Sequence, residues 1–436
     1  MEWFHLGIIS FVFLLILLTI GLPVAFSLAF VSTVMMYFFW GLDGLINIAT
    51  TAYTTNANFL LIAIPLFILM GECITVSGMA KDAFKMVDTW FGWVPGGIPI
   101  AAVVSSTIFG AVTGFAPATC SALGPAIIPE IIRRKNDTAI GIGAIAGGAG
   151  LAIIIPPSIL MIIYAFLTEV SVGRLFYSGL IPGVIISCIF ITYVLIRVTL
   201  NPKLAPRAEK TGLNFRKKVQ VSVYILPLIG LIFLVLGSIW IGAASPSEAA
   251  ALGAFGSIIL IVYYRKFNWE MVKRILHTTV AVNCMVMFIL IGGTLFTQVI
   301  VQIGFASGLA NWVTSLAVSR WIILAIMQLV IIILGCLLDP SSILFIVIPI
   351  FLPIVKMLEF DLYWFGIITM INCGIATITP PVGLVLYILK GVSPREIRFQ
   401  DIIRGSMPYW FLYIVGMLPI IFFPELVHWL PNMIIK

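Results

Sequence analysis

The sequence predicts an all-α polytopic membrane protein, organised as an inverted-topology repeat with two re-entrant hairpins and two broken helices. Three observations carry this. First, 61% of the 436 residues are hydrophobic and only 9% charged, and apolar stretches of membrane-spanning length follow one another from end to end. Second, the phrase GLAIIIPPS at Gly150–Ser158 returns 224 residues later as GIATITPPV at Gly374–Val382. Third, the basic residues are gathered in short clusters between apolar runs, as the positive-inside rule places them.

The paired prolines dictate the breaks. Proline has no backbone N–H and disfavours α geometry in the residue before it, yet it is well tolerated at the first position of a new helix. Each span therefore reads as two half-helices meeting at an unwound joint. Unsatisfied backbone groups are costly in hydrocarbon, so such a joint is tolerated only against protein or a water-filled cavity. One break alone is read as a packing kink as readily as a site. Breaks at corresponding positions of two halves point instead to a binding site near the midplane.

In chain order, Phe4–Phe39 is interrupted by Gly21, Leu22 and Pro23 and reads either as one long kinked helix or as two spans. A more polar stretch, Asp43–Asn58, precedes the apolar run Leu60–Thr75, which Lys81 and Lys85 follow. Ile98–Arg133 has a small-residue centre, AVTGFAPAT at Ala111–Thr119, and ends in Arg133, Arg134 and Lys135; a re-entrant hairpin fits it better than a straight span. Ala139–Thr168 is the first broken helix, with Gly147, Gly148 and Gly150 allowing close backbone approach. Leu175–Ile196 follows. The polar insertion Arg197–Lys218 carries Arg197, Lys203, Arg207, Lys210, Arg216, Lys217 and Lys218 against a single acid, Glu209, which places it in the cytoplasm between the two halves.

Val221–Ile241 and Ala249–Tyr264 read as a helical pair whose far turn, Ala243–Glu248, has no basic residue. The near end carries Arg265, Lys266, Lys273 and Arg274. Thr279–Val301 leads through a weakly amphipathic segment to the second hairpin, Trp321–Lys356, centred on LDPSS at Leu338–Ser342. Leu362–Leu389 is the second broken helix; Lys390, Arg395, Arg398 and Arg404 mark another cytoplasmic end, and Trp410–Leu430 is the last apolar segment. Counted outward from the Arg197–Lys218 loop, the second half runs reversed. Yet Pro125, Pro129, Pro156 and Pro157 match Pro349, Pro353, Pro380 and Pro381 at one offset, the mark of an inverted repeat.

Several function classes are excluded. The net charge of +7 belongs to the loop clusters, so no nucleic-acid partner follows. MEWFHLG lacks the basic n-region of a signal peptide, and the first apolar stretch is read as a retained helix. The six cysteines form no CxxC pair, and His5, His277 and His428 are scattered without an HExxH or GxSxG phrase. No enzyme chemistry, disulfide, transition metal or cofactor is expected.

At these residues the chain resembles the large membrane subunit of the TRAP (tripartite ATP-independent periplasmic) transporter family, within the ion transporter superfamily. The resemblance covers nearly the whole length. It rests on AIPLFILMG (Ala63–Gly71), ALGPAIIPE (Ala122–Glu130), GGAGLAIIIPPS (Gly147–Ser158), VSVGRLFYSGLIPG (Val170–Gly183), LGCLLDPSS (Leu334–Ser342) and TPPVG (Thr379–Gly383). Two positions depart from the family pattern: the first hairpin tip is poor in serine, and Ala149 stands where a threonine commonly follows the glycine pair.

The resemblance implies an elevator-type secondary transporter of the bacterial inner membrane, driven by sodium. It implies import of a small organic anion: a C4-dicarboxylate, sugar acid, keto acid or sulfonate. Its implied partners are a periplasmic substrate-binding protein and a small membrane subunit, both separate polypeptides. The chain then divides into N-terminal scaffold helices (1–58), repeat half one (59–198; hairpin 98–133, broken helix 139–168), and the cytoplasmic loop with a scaffold helix pair (199–276). Repeat half two (277–404; hairpin 321–356, broken helix 362–389) and a C-terminal helix (405–436) complete it. Competing readings are a stand-alone ion-coupled carboxylate symporter and a channel.

Sodium is a hard cation needing several oxygen ligands, which free carbonyls at helix C-termini and nearby hydroxyls supply. One candidate set is Thr113, Gly114 and Thr119 at the first tip with Gly150, Ile155 and Ser158 at the first break. The symmetric set is Asp339, Ser341 and Ser342 with Gly374, Thr377 and Thr379. Asp339 is the sharpest of these, since a carboxylate near mid-membrane is costly, although Asp before Pro-Ser-Ser is also a helix start signal. The anion is expected between the tips, at half-helix N-termini near Pro157, Pro340 and Pro381, with Thr113, Ser158 and Ser341 beside it. Arg174, Glu72 and Glu248 are read as interface or capping residues, and Trp90, Trp93, Trp312, Trp321, Trp364 and Trp410 as membrane-interface anchors.

Overall fold

The computed structural model describes residues 3–206, 215–264, 267–316 and 318–434. Among these residues every regular element is helical. Seven helices are long and apolar enough to cross a membrane, and seven shorter apolar helices accompany them. Large apolar side chains such as Phe38, Ile241 and Tyr263 are exposed. In water so much apolar surface would drive association, whereas in lipid it is the solvated face.

The N-terminal apolar stretch is two helices. α1 (Trp3–Thr19) stops before Gly21, whose φ of 91° no helix accepts, and α2 (Val24–Asn56) starts directly after Pro23. The more polar stretch Asp43–Asn58 is mostly the second part of α2, which bends at Gly41 and continues. Its threonines do not oppose the helix: Thr50 and Thr54 donate to carbonyls one turn back, and Thr51 Oγ1 lies 3.1 Å from Gln298 Oε1.

A common order of elements then occurs twice. α3 (Ala63–Ser77) ends at left-handed Gly78 and turns into the amphipathic α4 (Met79–Phe91). The helix pair α5 (Gly97–Thr113) and α6 (Ala116–Arg133) follows, then the broken helix α7 (Thr138–Gly150) and α8 (Ile159–Thr168), then the long α9 (Val172–Leu200). α10 (Phe215–Val223), α11 (Leu226–Trp240) and α12 (Pro246–Tyr263) separate the halves. In the second half α13 (Trp269–Gln302) ends at left-handed Gly304 and turns into the amphipathic α14 (Phe305–Ser315). The pair α15 (Arg320–Gly335) and α16 (Pro340–Met357), the broken helix α17 (Leu362–Thr377) and α18 (Leu384–Val392), and α19 (Phe399–Phe422) repeat the pattern, with α20 (Glu425–Ile434) beyond it.

Some boundaries differ from those read in the sequence. α13 begins at Trp269, so Lys273 and Arg274 lie inside a helix, and the run from Val221 is interrupted at Tyr224–Ile225, just ahead of Pro227. Arg197 sits in the last turn of α9, which extends to Leu200. Arg207, Glu209, Lys210, Arg265 and Lys266 lie outside the described residues.

Two packing groups position the site. α2 lies along α13 and α3 along α12, while α19 lies against α7, α9 and α17. The two broken helices touch at Gly150 and Gly374: a Cβ on the first would lie 3.3 Å from Gly374 O, and one on the second 3.4 Å from Gly150 O. Each hairpin meets its own break in the same way, with Gly110 against Ala152 and Gly335 against Ala376. Buried Tyr413 of α19 fills the crossing and donates its hydroxyl to Gly147 O at 2.7 Å. Removing that hydroxyl with Tyr413→Phe is expected to destabilise the protein by about 1–2 kcal/mol, because a buried carbonyl loses its donor. Thermal unfolding in detergent reads this as a lowered midpoint; an unchanged midpoint would show that another donor takes over.

Candidate functional site

The site is built where the two hairpin tips meet the two helix breaks. At the first tip the chain reverses through Gly114 (φ 60°, ψ 11°), whose N–H donates to Gly110 O at 2.8 Å. This tip is pressed onto the first break. Gly114 O accepts from Ile159 N at 3.3 Å, and a Cβ on Gly114 would lie 2.4 Å from Pro157 O. Thr113 and Thr119 are buried and share a hydroxyl–hydroxyl bond of 2.8 Å. Across the break, Ile155 N–H donates back to Leu151 O at 2.9 Å, and Ser158 is extended, fully buried and leaves its Oγ without a partner.

At the second tip Asp339 is the N-cap of α16. Its Oδ2 accepts from Ser341 N at 3.0 Å and Ser342 N at 3.2 Å, and Ser342 Oγ bonds to Oδ1. The capping role anticipated for Asp before Pro-Ser-Ser is thus present, and the carboxylate still has a lone pair to offer. The tip is tied to its break by Val382 N–H donating to Cys336 O at 3.3 Å. Thr377 and Thr379 turn their hydroxyls onto Gly374 O and Ile375 O, each at 2.7 Å.

A narrow cavity of about 40 Å³ joins these parts. Gly114, Phe115, Ala116 and Pro117 enter its wall from the first tip, Ile153, Ile159 and Leu160 from the first break, and Asp339, Pro340 and Ser341 from the second tip. Thr377 and Leu384 come from the second break, and Met285 and Val286 of α13 close the remaining side. Of the site residues read from sequence, Gly114, Asp339, Ser341 and Thr377 line this wall. Thr113, Thr119, Gly150, Ile155, Pro157, Ser158, Ser342, Gly374 and Thr379 lie behind it, and Pro381 faces outward with its carbonyl accepting from Tyr387 OH at 2.9 Å.

Electrostatically the wall has two kinds of helix start. α6, α8 and α18 begin at it without a side-chain cap, so their N-terminal dipoles face the cavity. The start of α16, near Pro340, differs: its first N–H groups are bonded to Asp339 and are not free for an anion. Sequence reading missed Met285 and Val286, since nothing in their spacing sets them apart from other lipid-length helix residues.

A family model described as "Tripartite ATP-independent periplasmic transporter, DctM component" matches residues 11–426. The chain belongs to this family, as a TRAP transporter large membrane subunit. A C4-dicarboxylate TRAP transporter large permease protein from Pseudomonas aeruginosa is 32% identical to it over 393 residues, 89% of this chain and 90% of that one. A 2,3-diketo-L-gulonate TRAP transporter large permease protein from Escherichia coli is 28% identical over 415 residues, 94% of this chain and 95% of that one. Among solved structures, the YdaH transporter of Alcanivorax borkumensis shares the fold, with a TM-score of 0.62 over 88% of this chain and 89% of that one at 16% identity. These TRAP relatives are permeases, not enzymes. Membership of a tripartite family implies a small membrane subunit and a periplasmic binding protein as partners, and a multi-pass place in the bacterial inner membrane.

Proposed function

We propose that this TRAP subunit carries a small organic acid anion inward, driven by sodium, with the anion and the cations held where the two tips and two breaks meet. The single observation behind this reading is the cavity whose wall brings three helix N-termini without side-chain caps together with one carboxylate, Asp339. Helix N-termini favour an anion through their dipoles, and a carboxylate beside hydroxyls and helix-end carbonyls favours a hard cation. A C4-dicarboxylate and a keto sugar acid appear in the names of the relatives above, and the carboxylate group common to them is what helix N-termini recognise.

Two sodium positions follow from the repeat. In the first half, Ser158 Oγ lacks a partner, Gly114 of the tip that carries Thr113 and Thr119 packs against Ser158, and Gly150 ends α7, with Ile155 in the break beyond it. In the second, Asp339, Ser341 and Ser342 stand near Gly374, Thr377 and Thr379. The hairpins are re-entrant and the halves inverted in the membrane, and the tips and breaks move as one elevator against the scaffold. Support comes from cavity size: 40 Å³ holds roughly three waters, not a dicarboxylate, so admission requires the tips to shift relative to Met285 and Val286. So narrow a space also speaks against a continuous pore.

The test is uptake of radiolabelled succinate, and of a labelled sugar acid, into proteoliposomes containing this chain and its small partner subunit. Uptake that requires both an inward sodium gradient and the cognate binding protein is the expected result. Uptake without the binding protein would replace the tripartite reading by the stand-alone symporter, and indifference to sodium would remove the cation sites.

A further inference from the structure

The two repeats hold their hairpins against their breaks by different means. In each half a glycine of the hairpin's first arm meets an alanine at the break, Gly110 against Ala152 and Gly335 against Ala376. About two turns earlier in that arm stand Val103 of α5 and Gln328 of α15, and about one turn earlier in the broken helix stand Gly148 of α7 and Asn372 of α17. In half one this second contact is a close backbone approach: a Cβ on Gly148 would lie 3.2 Å from Val103 O and 2.7 Å from Ser106 Cβ. In half two it is a hydrogen bond between amides, Asn372 Nδ2 donating to Gln328 Oε1 at 2.5 Å.

Stability does not account for this pair. Gln328 is the only polar side chain of α15 from Ile322 onward, and both amides are buried. Each keeps one atom without a partner, Gln328 Nε2 and Asn372 Oδ1. Burying an amide is costly, and replacing both members of a buried polar pair by apolar groups of similar shape is often neutral or stabilising. What such a pair supplies is register, because its bond forms at one relative height of two helices whereas an apolar stripe packs at several. α15 and α17 run side by side in the same direction, with Trp321 beside Trp364, Gln328 on Asn372 and Gly335 on Ala376. Both helices end at the site: α15 leads into the tip that carries Asp339, and the last turn of α17 carries Gly374 and Thr377.

We infer that Gln328 and Asn372 are positioning residues that set the height of the second tip against the second break, and so the separation of the cation ligands on either side. The inference rests on the sodium position proposed above for half two. Neither amide touches the ion; each acts through the helix that carries it. A coordinating constellation works only when held within about 0.5 Å, and groups that hold a metal's ligands in place are worth tenfold or more in affinity. Half one has no amide pair at this place because the close approach at Gly148 fixes the height of α7 on α5 by shape.

The test reads two quantities on each variant: the sodium concentration for half-maximal uptake in proteoliposomes, and the thermal midpoint in detergent. Gln328→Leu and Asn372→Leu in one chain are expected to raise that sodium concentration about tenfold or more while the midpoint stays at or above the parent's. Either leucine alone strands the remaining amide, so the same rise should come with a lowered midpoint. Gln328→Asn with Asn372→Gln exchanges the two amides, restores the bond and should return the sodium dependence to the parent's. Thr51→Val, which removes the hydroxyl beside Gln298 on α13, should leave it unchanged. Parent-like sodium dependence in the double leucine chain overturns the inference, as does an exchanged pair of parent stability that fails to restore it. A parent chain whose uptake is indifferent to sodium removes the cation position itself, and the inference with it.

Discussion

Asp339→Asn is expected to leave the fold intact and to raise the sodium concentration for half-maximal uptake by about tenfold or more, the loss of an ionic ligand worth roughly 1.4 kcal/mol. The substitution is informative because asparagine caps a helix about as well as aspartate. The amide oxygen of the new side chain can still accept from Ser341 N and Ser342 N, which in the native chain lie 3.0 and 3.2 Å from Asp339 Oδ2. Tip geometry is therefore preserved while the charge is removed. Asp339→Ala removes both, adding about 1 kcal/mol of lost capping. Uptake by the asparagine variant with unchanged sodium dependence would leave Asp339 as a cap and nothing more.

Gly114→Val has the second large effect, and its cause is steric. The position has φ 60°, a left-handed conformation that costs an L-residue about 1–2 kcal/mol, most for a β-branched one. A Cβ there would also lie 2.4 Å from Pro157 O, a backbone atom of the break that cannot turn aside. The tip must lift from the break, loosening the 3.3 Å bond between Ile159 N and Gly114 O. Uptake is expected to fall to about one-tenth or less, with an overall stability loss of only about 1–3 kcal/mol because the strain is local. Gly114→Ala should be intermediate. Parent-level uptake by the valine variant would show that the tip need not touch the break.

The breaks and tips are legible in the sequence because proline and glycine act locally: Pro156, Pro157, Pro380 and Pro381 stop helices regardless of what surrounds them. Helix extent is less legible. The more polar stretch Asp43–Asn58 gives no sign that a helix runs through it, yet Thr50 and Thr54 satisfy themselves on their own helix. The charges Lys273 and Arg274 similarly hide the first turns of α13. At the site, residue types are readable but their assembly is not. Asp339, Ser341 and Thr377 are visible as oxygen ligands, and Asp before Pro-Ser-Ser announces the cap that bonds α16's first N–H groups, but nothing local says which of them share one wall. Met285 and Val286 reach the cavity only through the packing of α13 on the hairpins, a long-range contact that no local spacing records. The buried amide pair Asn372–Gln328, with Nδ2 to Oε1 at 2.5 Å, likewise joins α17 to α15 without any motif to announce it.

The most direct test of movement between the tips and α13, which packs along the scaffold helix α2, is a reversible cross-link between Val286→Cys on α13 and Ser341→Cys at the second tip, in a chain whose six native cysteines are replaced. Both positions border the same narrow cavity. Bridging them with mercuric ion should abolish sodium-driven uptake in proteoliposomes, and a thiol reductant should restore it, while either single cysteine should be indifferent to the treatment. Uptake at the unbridged rate by protein shown to be fully cross-linked would contradict passage of the anion by relative motion of the tip and α13.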